Sequence, residues 1–224
     1  MRTKTTVADN TESGVFALIA GESGAGKTFL ASTLPHDDTI IISKESGLRS
    51  LRKVAPTIEV ESIENFNDLA SIIDEISAGK YTKKKNIYID SLTDILDTEL
   101  ASLKEVFAKK DTFNMWDEYF LKARWAITTL RDVTNKNIFF TCLAGQEKDG
   151  LVMVDQFDFT GSKLKTKIKS YFDLCFHLKA FNDGGDSYRG LITDSAISPL
   201  AKDRSGLLLP VDKPDLTYII NKLS

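Results

Sequence analysis

The chain has 224 residues, 42% of them hydrophobic and 27% charged, ordinary usage for a globular protein that folds without disulfides or a structural metal. At roughly 150 residues per domain, the length allows one large domain or two small ones. The 29 basic and 32 acidic residues leave a formal charge of −3, which excludes a histone-like polybasic protein but not local basic patches.

The N-terminal segment MRTKTTVADNTESG is polar and lacks a hydrophobic signal core, so residues 1–13 are expected to be flexible and the protein cytoplasmic. VFALIA (15–20) is a short continuous apolar run, the pattern of a strand buried on both faces in a parallel sheet. A Gly-rich turn follows, then a helical stretch, KTFLASTL, stopped by Pro35. TIIIS (39–43) predicts a second strand, SGLRSLRKV a short helix, and TIEVES (57–62) a third strand. FNDLASIIDEISAG (66–79) carries apolar residues at helical spacing and ends on Gly79. NIYID (86–90) predicts a fourth strand, followed by helices over 92–109 and 114–134.

NIFFTCLA (137–144) predicts a fifth strand, and LVMVDQFDF (151–159) either a hairpin or an extended loop. YFDLCFHLKA (171–180) and YRGLIT (188–193) are strand-like, and PDLTYIINKL (214–223) reads as a helix with Pro214 in its first turn. Cys142 and Cys175 lie in apolar runs and read as buried free thiols. With no CxxC and only His36 and His177, a zinc site is not expected. No apolar stretch reaches the ~18 residues of a membrane span. Alternating strands and helices, without an internal repeat or long linker, predict one α/β fold: a mainly parallel twisted sheet flanked by helices, with antiparallel strands near the C-terminus.

Residues 21–28 read GESGAGKT, a full G-x-x-x-x-G-K-[ST] match between a predicted strand and a predicted helix. Such a loop binds phosphates. Gly21, Glu22, Ser23, Gly24, Ala25 and Gly26 supply converging backbone N–H groups, Lys27 reaches the β/γ-phosphates, and Thr28 places its hydroxyl on Mg²⁺. ATP and Mg²⁺ are the ligands this predicts. A metal-orienting acid is then needed at a strand end, and Asp90, closing NIYID, fits: a buried carboxylate is costly unless a cation or hydrogen bonds await it. Ser91 follows it where a D-E pair would indicate the AAA+ class, so the water-activating base must come from elsewhere. Glu45 is the candidate, expected beside the γ-phosphate because its strand is expected next to the P-loop strand. Gln146, after the fifth strand, is the candidate γ-phosphate sensor. The sequence lacks the D-x-x-G and N-K-x-D of a GTPase, an LSGGQ-type signature and an Arg-rich lid.

The series GESGAGKT, SKESGLRSL, NIYIDSLTDI and FFTCLAGQE resembles the RecA-like ATPase core. More closely it resembles the phage-encoded RecA-like ATPases that act as single-strand annealing or recombination proteins, also described as phage nucleotide-binding AAA-domain proteins. FTGSKLKTKIKSYFDLCFHL and LAKDRSGLLLP look like that group too, so the resemblance covers nearly the whole chain. It implies a single RecA-like ATPase domain over 14–224, in the bacterial host cytoplasm. It places Glu45 at the catalytic glutamate of RecA-like and DnaB-like ATPases, with Lys44 beside it as a departure. Lys202 and Arg204, in AKDRSG, resemble the K-x-R pair that reaches a neighbouring subunit's nucleotide in DnaB-type assemblies. Self-association in a filament or ring, single-stranded DNA and a single-strand-binding protein are the partners it implies.

KLKTKIK (163–169) sets Lys163, Lys165, Lys167 and Lys169 at alternate positions. Extended, it would line four ammonium groups on one face, either as a phosphate-binding strip with Phe157 and Phe159 stacking bases, or as a lysine-guarded edge strand. In RecA-like cores the loop after the strand ending here at Ala144 faces DNA. KYTKKK (80–85) reads as a solvated loop. Two further functional classes remain open: a nucleotide-gated loader or scaffold for a replication or packaging partner, and a small-molecule phosphotransferase, for which no acceptor is legible.

Overall fold

The computed structural model describes residues 14–44, 47–107 and 111–224; the expected flexible segment 1–13 lies outside them. In chain order the elements are β1 (Phe16–Gly21), α1 (Lys27–Leu30), β2 (Thr39–Ser43), β3 (Glu59–Ser62), α2 (Phe66–Ser77), β4 (Asn86–Asp90), α3 (Leu92–Val106) and α4 (Thr112–Arg131). They continue with β5 (Asn137–Asp149), β6 (Val152–Phe157), α5 (Ser162–Tyr171), β7 (Leu174–Asp183), β8 (Asp186–Ile192), β9 (Lys202–Asp203), β10 (Val211–Asp212) and α6 (Leu216–Leu223).

Every residue of β1, β2 and β4 is buried, which is why these strands read as unbroken apolar runs: helices cover both faces. Side chains alternate across the sheet, so β1 divides between two cores. Phe16, Leu18 and Ala20 pack with α2, α3, α4 and α5, whereas Ala17 and Ile19 pack with α1 and α6. Local signals set the ends of α2. Asn65 and Asp68 form a reciprocal capping box at its start, and Gly79, at φ 79°, lies just past its end.

The sheet runs β10-β8-β7-β1-β5-β4-β2-β3, with β6 and β9 paired to β5 and β7. The strands from β7 to β3 along this path are parallel, while β8, β10, β6 and β9 join antiparallel. This is a mixed α/β architecture with a mostly parallel central sheet flanked by helices and antiparallel additions near the C-terminus, as the sequence predicts for a P-loop NTPase. Strand order corrects one expectation. β2 is not next to β1; β5 and β4 stand between them.

Local expectations are also revised or refined. The segment 163–169 is not extended but lies in α5. Leu164 and Ile168, four residues apart, are 1% and 0% exposed, so the core selects the helical period over the lysine alternation. Phe157 and Phe159 are buried and cannot stack bases. The short helix expected in SGLRSLRKV is a 3-10 helix at Gly47–Ser50. Pro214 precedes the α6 N-cap, Asp215. The 151–159 alternatives resolve in favour of a hairpin, with β5 continuing to Asp149 to pair with β6. In the KYTKKK loop, Lys84 is buried and donates to the Asp37 carbonyl at 2.8 Å.

Ile168→Ala is expected to lower unfolding free energy by about 2–5 kcal/mol, and Lys167→Ala to leave it within about 0.5 kcal/mol. Urea titration of the two variants checks this assignment of the α5 faces.

Candidate nucleotide-binding site

The loop joining β1 to α1 needs glycine for conformational reasons. Gly24 and Gly26 have φ of 79° and 103°, the left-handed region that side chains disfavour. Lys27, 9% exposed, folds back across this loop, its Nζ donating to the carbonyls of Gly21 at 2.8 Å and Glu22 at 3.0 Å. The hydroxyl of buried Tyr88 donates to the Lys27 carbonyl at 2.5 Å, tying the start of α1 to β4. Burial, with Asp90 nearby, pushes the Tyr88 phenol well above its ordinary range and keeps it a donor.

Asp90, 2% exposed, ends β4 and accepts two hydroxyl hydrogen bonds. Thr28 Oγ1 donates to Oδ2 at 2.6 Å, and Thr141 Oγ1, on β5, donates to Oδ1 at 2.5 Å. Together the P-loop, Asp90 and Ser91 bound a cavity of about 240 Å³, whose other walls include Phe29, Ser50 and Leu143. A near-buried ammonium with backbone donors on one side, and a buried carboxylate with a hydroxyl on the other, fit a polyphosphate and a hard divalent cation respectively.

The remaining predicted residues distribute as follows. Glu45 lies outside the described residues; its strand delivers Ser43 into register with Asp90, and the Lys44 N–H donates to the Asp90 carbonyl at 3.3 Å. Gln146 is exposed on the β5 extension and donates to Asp155 of β6 at 3.0 Å. It is not among the residues lining the cavity. Lys202 donates to the carbonyls of Lys169 and Phe172, capping the end of α5. Arg204 pairs with Asp173 at 2.5 Å, its side chain 62% exposed. The four lysines of α5 do not form a strip. Lys163 pairs with Asp117 at 3.1 Å and lies over the Phe120 ring, Lys169 donates to the Pro199 carbonyl, and helical spacing turns Lys165 and Lys167 to different sides.

Sequence reasoning missed Thr141, Phe29, Ser50 and Arg189. Thr141 carries a legible signal, a hydroxyl inside the buried run FFTCLA that must find a partner. Arg189, on β8, donates from Nε to the Ala25 carbonyl of the P-loop at 2.8 Å. Nothing local in YRGLIT announces that contact.

The model of the AAA domain family matches residues 13–205. The chain belongs to this AAA domain family. The match begins just before β1, takes in the P-loop, Asp90 and the Lys202–Arg204 segment, and stops short of β10 and α6. Nucleotide binding and hydrolysis are therefore its class of activity, that of an ATPase, with Mg²⁺ the usual metal. No curated protein matches the chain. Among the described residues, no helix of this AAA domain is long and apolar enough to cross a membrane.

A second polar cluster lies beside the loop. His177, 1% exposed, pairs in register with Ala20, one residue before Gly21. Its Nδ1 is 2.8 Å from Ser198 Oγ and 3.8 Å from Asp155 Oδ2. Burial and then Lys179 hold the imidazole below its ordinary value of 6.5, against opposing effects of Asp155 and Glu22. At Asp155 burial works upward, but the hydrogen bonds from Lys179 and Gln146 prevail and keep the carboxyl below its usual value.

Two outcomes follow from this geometry. Thr141→Val leaves the buried Asp90 with one hydroxyl donor fewer and is expected to cost about 1–3 kcal/mol of stability, readable as a lowered urea midpoint at unchanged m-value. For His177, the unfolded state binds the proton more readily than the folded state. Its contribution is full above 6.5 and declines as pH falls below that value. Thermal melts between pH 7.5 and 5.5 should show a Tm decline that His177→Gln flattens.

Proposed function

We propose that the protein is a Mg²⁺-dependent ATPase of the RecA-like type, a single domain over residues 14–224, whose hydrolysis serves a recombination or annealing step on single-stranded DNA. The observation that carries the ATPase reading is the 2.6 Å bond from Thr28 to Asp90, made across the sheet although β5 separates β1 from β4. It brings a P-loop hydroxyl and a buried carboxylate to one point, where the two would hold a hard divalent cation. Bound Mg²⁺ would neutralise charge developing on the phosphate oxygens. Backbone N–H groups of the loop orient the phosphates, and Lys27 offers an ammonium already positioned at the cavity wall. Thr28 and Asp90 fix the metal side. Glu45 supplies the base that takes a proton from the attacking water; support for this role is the register that ends β2, at Ser43, opposite Asp90.

Support for the DNA substrate is the order of motifs shared with phage RecA-like ATPases, together with exposed lysines on α5 such as Lys163 and Lys167. Self-association would place Arg204 in a neighbour's site. Its bond to Asp173 is exposed and exchangeable, whereas Lys202 is committed to α5 carbonyls. One observation favours the loader or scaffold reading: the β5–β6 hairpin tip presents Leu151, Val152 and Met153 at 99%, 64% and 55% exposure, chemistry that suits a protein partner better than phosphates.

Lys27→Ala should abolish MgATP binding by calorimetry, and Asp90→Asn should retain nucleotide but slow Mg²⁺-dependent hydrolysis about 10²-fold or more. ATPase rate and sedimentation with and without single-stranded DNA test the rest. Stimulation that is lost, with its salt dependence, on replacing Lys163, Lys165, Lys167 and Lys169 supports direct DNA action. A rate indifferent to DNA, with no nucleotide-dependent assembly, removes the recombination reading in favour of the loader.

A further inference from the structure

Arg189 reaches the P-loop from a distant part of the chain. It lies on β8 opposite Ala180 of β7, and β7 runs parallel to β1. The β7 backbone itself closes on the loop: a Cβ added at Gly21 would meet the Leu178 carbonyl oxygen at 3.0 Å. From this platform Arg189 Nε donates to the Ala25 carbonyl at 2.8 Å. A Cβ at Gly26 would sit 3.3 Å from the same Nε and 3.5 Å from Cδ, so the arginine lies closely against a P-loop position whose φ of 103° favours glycine.

The Ala25 carbonyl and the Gly26 N–H belong to one peptide unit. In a trans peptide the two groups point in opposite directions. With the carbonyl turned out to Arg189, the N–H is turned the other way, and Gly26 lines the phosphate cavity. A charged donor on the carbonyl polarises the peptide and strengthens its N–H as a donor. It also fixes the orientation of a plane flanked by flexible glycines.

We propose that Arg189 is a positioning residue for phosphate binding, holding and polarising the Ala25–Gly26 peptide so that the Gly26 N–H is aimed at the polyphosphate of the nucleotide. The proposal rests on the nucleotide-site reading given above. It makes the β7–β8 hairpin part of the phosphate site, although no hairpin side chain need touch the ligand.

Because the action passes through the peptide to phosphate, it is independent of the base. Arg189→Met keeps the apolar stem and removes the donor, while Arg189→Lys restores a cationic donor. Calorimetry with MgADP and with inorganic tripolyphosphate, alongside Tm and steady-state ATPase, provides the test. Arg189→Met is expected to weaken both ligands by a similar factor of about ten. KM should rise more than kcat falls, Tm without ligand should hold, and Arg189→Lys should recover part of the affinity for both. Arg189→Met binding both ligands as the wild type does would overturn the inference. So would weakening of ADP alone, which would mean direct contact with base or ribose. A wild-type protein that binds neither ligand would overturn the nucleotide reading and this inference with it.

Discussion

A buried carboxylate is among the least tolerable groups a core can hold, and Asp90 is one. Its two oxygens are satisfied by hydroxyls from two different elements, Thr28 at the start of α1 and Thr141 within β5. These contacts come together where β5 lies between β1 and β4. Thr141 pairs in register with Ile19 of β1, which places its hydroxyl at the level of the strand ends. The strand order, the P-loop conformation and the position of the first helix are therefore tied together by one buried carboxyl side chain. That interdependence marks a site built for charge rather than a core optimised for stability, since an apolar residue at position 90 would satisfy packing alone.

The same constraint explains why the loop is braced from so many sides. A phosphate cradle needs its N–H groups pointing inward, which leaves its carbonyls pointing outward and in need of donors. Lys27 serves Gly21 and Glu22, Tyr88 serves Lys27, and Arg189 serves Ala25. The donors come from the loop itself, from β4 and from β8, on both sides of β1. Preorganisation of this kind lets the loop meet phosphate without paying the ordering entropy at the moment of binding.

Much of this could be read from the sequence, for definite reasons. The P-loop, Asp90 and the buried strands were legible because each is a local pattern: a spaced motif, or an apolar run closed by a carboxylate. Strand order was not, because TIIIS and NIFFTCLA are alike as apolar runs and neither says which neighbour it pairs with; the expectation that β2 adjoins β1 failed there. KLKTKIK misled because the alternation of lysines mimics a strand, while the decisive signal, Leu164 and Ile168 four apart, is only one helical turn long. Arg189 is 164 positions from Ala25 along the chain, and no local pattern encodes that contact.

Composition does not say where the cations are held. A count of lysines suggests a supply of cations for phosphate, but many of their ammonium groups are held internally. Lys84, Lys136, Lys169 and Lys202, like Lys27, donate to backbone carbonyls, doing for loops and helix ends what a cap does. Lys122, Lys179 and Lys222 are paired with carboxylates. A long, flexible stem makes lysine well suited to reaching such carbonyls, and, Lys27 at the P-loop apart, each one so held is a cation less readily available to a polyanion. For a chain of formal charge −3, a polyanion bound outside the P-loop would have to be gripped by cations not held in this way, such as the exposed Lys167. Affinity of that sort becomes appreciable when copies line up along one strand and their contacts act together. In the reading proposed above, assembly and polyanion binding would then depend on one another.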